Sequence, residues 1–283
     1  MPCENTLGES VSCTGIGTHS GSPATLSICP APAGYGIKFV RVDAASHEVP
    51  ALWNQVSNTS MCTCITHNGV CVKTVEHVCA ALIGMGVDNA RIELNNEEVP
   101  ILDGSAREFT KMIESAGVTP QSKPRQFIKI LETVTVQDGN CVASFEPSEK
   151  DVLSLKVELD LSAAGLDKQH IDLDLTKDTF IKELAPARTF GFFKDVQTLR
   201  DKGLIKGSSL DNAVVIDNGK IMNSEGLRFE NEMVRHKALD AVGDLSLAGK
   251  PVLGRFYGKN CGHRLNQELL QRLLNMPSAW KIL

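Results

Sequence analysis

The chain has 283 residues, 42% hydrophobic and 22% charged, with a formal net charge of -5, the proportions of an ordinary soluble globular protein. That balance gives no electrostatic reason to expect nucleic acid as a partner; no apolar run is long enough to cross a bilayer, and no signal-peptide pattern opens the chain. Nine irregularly spaced cysteines do not read as a disulfide framework, so a reducing cytosol is the simplest home, although import of a processed chain into an organelle is compatible with the same pattern.

At this length two domains are expected. Residues 24–28 and 37–42 alternate as strands. Residues 62–66 and 70–73 flank His67-Asn68-Gly69, where Asn-Gly signals a tight hairpin turn. The pattern then predicts a helix with Thr74 as its N-cap, running to the Gly84-Met85-Gly86 stop, with Val75, Val78, Cys79 and Leu82 on the buried stripe. A strand over 90–94 and a helix over 107–115 follow. The polar, two-proline stretch Pro120 to Gln126 reads as a linker, dividing the chain into domains at 1–122 and 127–283.

The second part repeats the grammar. Leu153, Leu155, Val157, Leu159 and Leu161 alternate with Ser154, Lys156, Glu158 and Asp160, the mark of a sheet with one wet face. Asp217-Asn218-Gly219 marks another turn. Helices are predicted over 232–247 and 265–275, with a strand over 252–257 between them. Both parts carry V-x-H-x6-G on a helix (Val75, His77, Gly84; Val234, His236, Gly243), a weak echo of three identities. The expected fold is α+β: two similar domains, each an antiparallel sheet layered on helices, with the active site in the cleft between them.

His236 and Asp240 are four residues apart, so on a helix they leave one face a turn from each other. With His77 they make a complete ligand set for a catalytic zinc, the fourth position open to water. Glu76 is left over as a base. The competing reading is plain: a helix-surface His–Asp pair and a structural His77. A rival cluster, Cys62, Cys64, His67 and Cys71, lacks C-x2-C knuckles, and strand rise would hold Cys62 and Cys64 ~7 Å apart; these read as small buried residues. The run from Gly15 to Gly21 matches neither a dinucleotide nor a triphosphate cradle. His19 there reads as a turn residue or a site-lining one. His263 follows a strand and by itself reads as a surface-loop residue.

Taken together, the motifs resemble those of the bacterial UDP-3-O-acyl-N-acetylglucosamine deacetylases, zinc amidases of lipid A synthesis. The resemblance covers nearly the whole chain, through Thr14 to Gly21, Cys62-Thr63-Cys64, Thr74-Val75-Glu76-His77, Pro100 to Ser105, Ala187 to Phe192, Gly226 to Glu230, Val234 to Asp240 and Gly262-His263. It implies a bacterial cytosolic hydrolase of linear amide bonds, acting on a UDP-linked, O-acylated N-acetylglucosamine. It implies one Zn2+ per chain on His77, His236 and Asp240, a set that suits Fe2+ equally. Glu76 would be the general base, His263 the general acid, Asp244 the carboxylate that keeps His263 protonated, and Thr189 the oxyanion donor. His19, Cys62, Phe190 and Lys237 would hold substrate, and the segment 191–221 would form an apolar acyl-chain passage, although a core hairpin would show the same pattern. Two positions depart from the family pattern toward its nucleotide end: Cys141 stands where a Lys is common, and Asp160 to Ala164 where D-F-x-H-P is common. The alternatives are an amidohydrolase of the same scaffold for another N-acylated sugar, and a non-catalytic, zinc-stabilised interaction protein.

Overall fold

A computed structural model describes residues 2–283. The architecture is α+β, with one main sheet in each half of the chain. The first runs in the order Val11–Ile16, Pro23–Pro30, Ala90–Leu94, Ile37–Arg41, His47–Pro50. The second is built around Val252–Lys259, which lies antiparallel to Cys141–Glu146 and parallel to Leu153–Leu159.

Antiparallel neighbours are most frequent, but the sheets are mixed rather than purely antiparallel. Ile37–Arg41 pairs in parallel with Ala90–Leu94, just as Leu153–Leu159 does with Val252–Lys259. A parallel pair needs a crossover, usually helical. The Glu76–Gly84 helix lies within the first crossover and the Glu232–Ser246 helix within the second. Each half thus delivers one histidine-bearing helix to the same middle layer, where the two pack directly together.

Both glycines of the V-x-H-x6-G echo sit at close approaches. A Cβ on Gly243 would overlap the carbonyl oxygen of Glu76 and lie 2.7 Å from its carbonyl carbon, and one on Gly84 would enter the Phe180 ring. The crossing buries Val78, Ala81 and Leu82 against the core that also holds Leu239, Val242 and Leu245. Fully burying a residue of the Val or Leu class is worth ~1.5–3 kcal/mol, so this is a well-anchored seam. The core is continuous through both halves; a satellite of Leu161, Val214, Ile216 and Met233 joins part of the 191–221 segment to residues outside it.

Three local expectations are corrected. The stretch read as a linker is a strand, Val118–Pro124, paired antiparallel with Cys3–Leu7; pairing with the N-terminal strand satisfies its backbone, and its prolines fall on a two-stranded ribbon. Thr74 is not the helix N-cap. Its φ of 59° puts a β-branched residue in the left-handed region, its hydroxyl donates to Glu98 Oε1 at 3.3 Å, and the helix begins at Glu76. Such backbone persists only where its surroundings hold it. Lastly, the Cys62 and Cys64 sulfurs are 3.6 Å apart, not strand-spaced, because the chain turns at Met61 (φ 69°) and the strand starts only at Cys64.

Candidate active site

The Glu76–Gly84 helix opens with the two residues singled out in its motif, and both are buried. From the facing helix, His236 and Asp240 project one turn apart. His236 Nε2 lies 3.3 Å and His77 Nε2 3.6 Å from Asp240 Oδ1, and the two imidazoles meet edge-on with centroids 5.0 Å apart. One ligand atom from each of the three residues falls within a 4.8 Å cluster, the sole group of this kind among the described residues. His236 Nδ1 faces the Ala187 carbonyl at 3.0 Å, so donating there leaves Nε2 as a free lone pair, as a metal ligand requires. The donor set therefore fits a divalent cation.

Electrostatics agree. Burial pushes the His236 imidazole down to about 4, against the pull of Asp240, so it is neutral and able to ligate. Burial also works against the Asp240 carboxylate, but His236, protonated in the acid range where this carboxylate titrates, and Lys237 outweigh it and hold the group well below its ordinary range. Lys237 Nζ sits 3.0 Å from Asp240 Oδ2.

Glu76 is shut away from water, and that burial raises its carboxyl well above the usual range even though cationic His263 opposes the shift. Its Oε1 lies 3.7 Å from His263 Nε2. His263 is the first residue of the His263–Leu274 helix, not a loop residue, and its Nδ1 donates to Asp244 Oδ2 at 2.9 Å. Burial alone would discharge it; Asp244 and Glu76 reverse this and carry it up to about 10. A buried carboxyl whose proton affinity is raised and an imidazole held protonated at neutral pH thus stand side by side.

These groups open onto a cavity of about 270 Å³ lined by Glu76, His77, His236, Lys237, Asp240 and His263 on one side and by Phe190, Phe192, Leu199, Ile205 and Val215 on the other. The strand Val214–Asp217 divides its side chains, Val214 and Ile216 into the satellite core and Val215 toward the cavity. Thr189 lines the wall, fixed by its amide on the Gly104 carbonyl and by its own carbonyl accepting from Val214. His19 also lines it, buried, and neither ring nitrogen has a hydrogen-bond partner among the described residues. Cys62 and Asp244 do not line the cavity; Met61 does. Asp244 lies behind His263, and Cys62 is buried against Cys64.

Other supporting groups escaped the sequence reading. Thr63 bridges Glu76 and Asp244. Glu98 accepts from the amides of His19 and Ser20 at 2.8 Å each. Buried Arg188 pairs with fully buried Glu232 at 2.9 Å, tying the residue before Thr189 to the first residue of the His236 helix. Only Arg188 had a sequence signal, as a charge between Leu184-Ala185-Pro186-Ala187 and Phe190.

Two imidazoles and a carboxylate, beside a buried glutamate and a protonated imidazole around one cavity, fit a metal-dependent hydrolase. The family model for UDP-3-O-acyl N-acetylglycosamine deacetylase matches residues 4–275, and the chain belongs to that family. It is 43% identical over 282 residues to the UDP-3-O-acyl-N-acetylglucosamine deacetylase of Xanthomonas axonopodis pv. citri (strain 306), covering 99% of this chain and 93% of the relative. The protein of the same name from Myxococcus xanthus (strain DK1622) is 45% identical over 280 residues, covering 99% and 88%. That of Shewanella sp. (strain W3-18-1) is 41% identical over 284, covering 100% and 93%. No helix among the described residues is long and apolar enough to cross a membrane.

Proposed function

We propose that this chain is a zinc-dependent amide hydrolase that removes the acetyl group from UDP-3-O-acyl-N-acetylglucosamine in lipid A biosynthesis, giving acetate and the free amine. The observation that carries the proposal is the convergence of His77, His236 and Asp240 beside Glu76 and His263 in a chain whose relatives bear that activity in their names. Its two parts, 1–122 and 127–283, act as domains that each contribute ligands to one metal.

His77, His236 and Asp240 would hold the ion. When bound, a divalent cation lowers the pKa of a water molecule to about 7 and polarises the amide carbonyl. Glu76 takes the proton of the attacking water, and its raised proton affinity makes it the stronger acceptor for that step. The Thr189 hydroxyl donates to the oxygen on which negative charge develops. His263, kept cationic by Asp244, gives its proton to the glucosamine nitrogen as the C–N bond breaks, and Glu76 and His263 then reset by exchanging protons with solvent. Lys237 and His19 orient the substrate's polar groups, with Cys62 buried beside the 17–20 loop, while Phe190 and the 191–221 segment receive the acyl chain along the apolar wall. Cys141 and the Asp160–Ala164 turn stand where the resemblance puts nucleotide contacts, which favours recognition of the UDP end by other groups.

The test is deacetylation of a UDP-linked, O-acylated N-acetylglucosamine by purified protein, with and without a chelator and after Zn2+ or Fe2+ is restored. Turnover lost to the chelator and regained with metal supports the proposal. Chelator-insensitive turnover, or none with either metal, would remove it.

A further inference from the structure

Resting on the deacetylase reading, we propose that Thr63 is a positioning residue that sets the base and the acid of the reaction in register. Thr63 is 2% exposed and lies in the irregular stretch between the turn at Met61 and the strand from Cys64. Its amide donates to Glu76 Oε2 at 3.1 Å, and its hydroxyl donates to Asp244 Oδ1 at 2.6 Å. Its carbonyl accepts from the amide of Val75 at 3.3 Å. One residue therefore holds the approach to the Glu76 helix, the Glu76 carboxylate and the carboxylate behind His263.

Each carboxylate has one oxygen turned to Thr63 and the other turned to His263. Glu76 Oε1 lies 3.7 Å from His263 Nε2; Asp244 Oδ2 lies 2.9 Å from His263 Nδ1 and accepts from Asn266 Nδ2 at 2.8 Å. Thr63, Glu76, His263 and Asp244 thus close a ring, and Thr63 is the member that touches both acids without itself titrating. A carboxylate pinned at one oxygen cannot rotate about its Cγ–Cδ or Cβ–Cγ bond without breaking a buried hydrogen bond, and among the described residues the hydroxyl is the sole side-chain donor to Asp244 Oδ1. Reacting groups need placement to a fraction of an ångström, and hydrogen bonds to a charged acceptor are the stronger kind.

Thr63→Val keeps the volume and the backbone amide but removes the donor, leaving Asp244 Oδ1 buried without a partner. Thr63→Ser keeps the donor and loses the methyl. Steady-state kinetics on the UDP-linked substrate, with metal content and melting temperature on the same preparations, separate the possibilities. For Thr63→Val the expected result is a kcat lower by about 10–100-fold, the usual range for outer-sphere partners, with KM within about twofold and the metal retained. Thr63→Ser is expected within about threefold of wild type. Wild-type kcat in Thr63→Val overturns the role. A Thr63→Ser variant as impaired as Thr63→Val would show that the hydroxyl donor alone does not set the geometry and would overturn the role, and loss of metal in step with kcat would assign the effect to the metal site and overturn it as well. Should Thr63→Val not fold, Thr63→Ala takes its place with the same expectations. A wild-type protein inert on the substrate overturns the deacetylase reading and this role with it; an active wild type beside an unimpaired variant overturns this role alone.

Discussion

Gly243 offers the sharpest separation of local from tertiary reasoning. In a helix interior, Gly→Ala is favourable by ~1 kcal/mol from propensity alone. Here the added Cβ would stand 2.7 Å from the carbonyl carbon of Glu76, with its oxygen closer still. Ordinary contact begins at 3.4 Å, so moving from 2.7 to 3.4 Å requires the helices to part by about 0.7 Å at least. The obstacle is backbone, which has no rotamer to yield, and overpacking of this kind typically costs ~1–3 kcal/mol. The net change is therefore destabilising or neutral, where propensity alone gives stabilisation; at roughly 2–4 °C per kcal/mol for a chain of this size class, melting should fall by a few degrees. Because His77 lies on one helix and His236 and Asp240 on the other, parting the helices also opens the ligand set, and a displacement near 1 Å can cost ~10²-fold in rate. Thermal melting, metal analysis and turnover of Gly243→Ala measure all three. A variant that melts above wild type with full metal and full turnover would refute the close-approach reasoning.

Glu76→Ala should retain its metal and lose turnover by ~10²–10⁴-fold, while His236→Ala should lose both; metal analysis beside the deacetylase assay checks this, and wild-type rates in Glu76→Ala would rule out the assigned base. Activity needs His263 protonated, so with its imidazole held up to about 10 the alkaline limb of the pH–rate profile falls as pH rises through that region. Removing the Asp244 charge with Asp244→Asn should draw that limb toward neutrality by about 1–3 pH units, and an unmoved limb would dissociate Asp244 from the acid. Glu232→Ala removes the buried partner of Arg188, and chemical denaturation should find it less stable by ~3–5 kcal/mol; a loss under 1 kcal/mol would mean that Glu225 and the Gly226 carbonyl satisfy the guanidinium by themselves.

Much of this protein was written locally. The alternation of Leu153, Leu155 and Val157 against Lys156 and Glu158, the Asn68-Gly69 turn (φ 47° and 81°) and the apolar stripe of the Glu76 helix each depend on neighbours within a few residues. So they survive as patterns in the chain, and the i,i+4 geometry of His236 and Asp240 is of the same kind. What the sequence could not carry is the meeting of groups far apart in it. The separation of the Cys62 and Cys64 sulfurs was decided by a turn at Met61, the conformation of Thr74 by the buried Glu98, and the pairing of residues 118–124 by a strand at the other end of the domain. His77 meets Asp240 across more than 160 residues, and Thr63 Oγ1 reaches Asp244 across 181. A backbone amide acting on Glu76 has no side-chain identity to read. Periodicity encodes which face of an element is buried; which two faces become neighbours is settled only when the crossover helices pack. That is why His77, His236 and Asp240 could be proposed as ligands from spacing and motif, while the contacts of Thr63 with Glu76 and Asp244 emerged only with the fold.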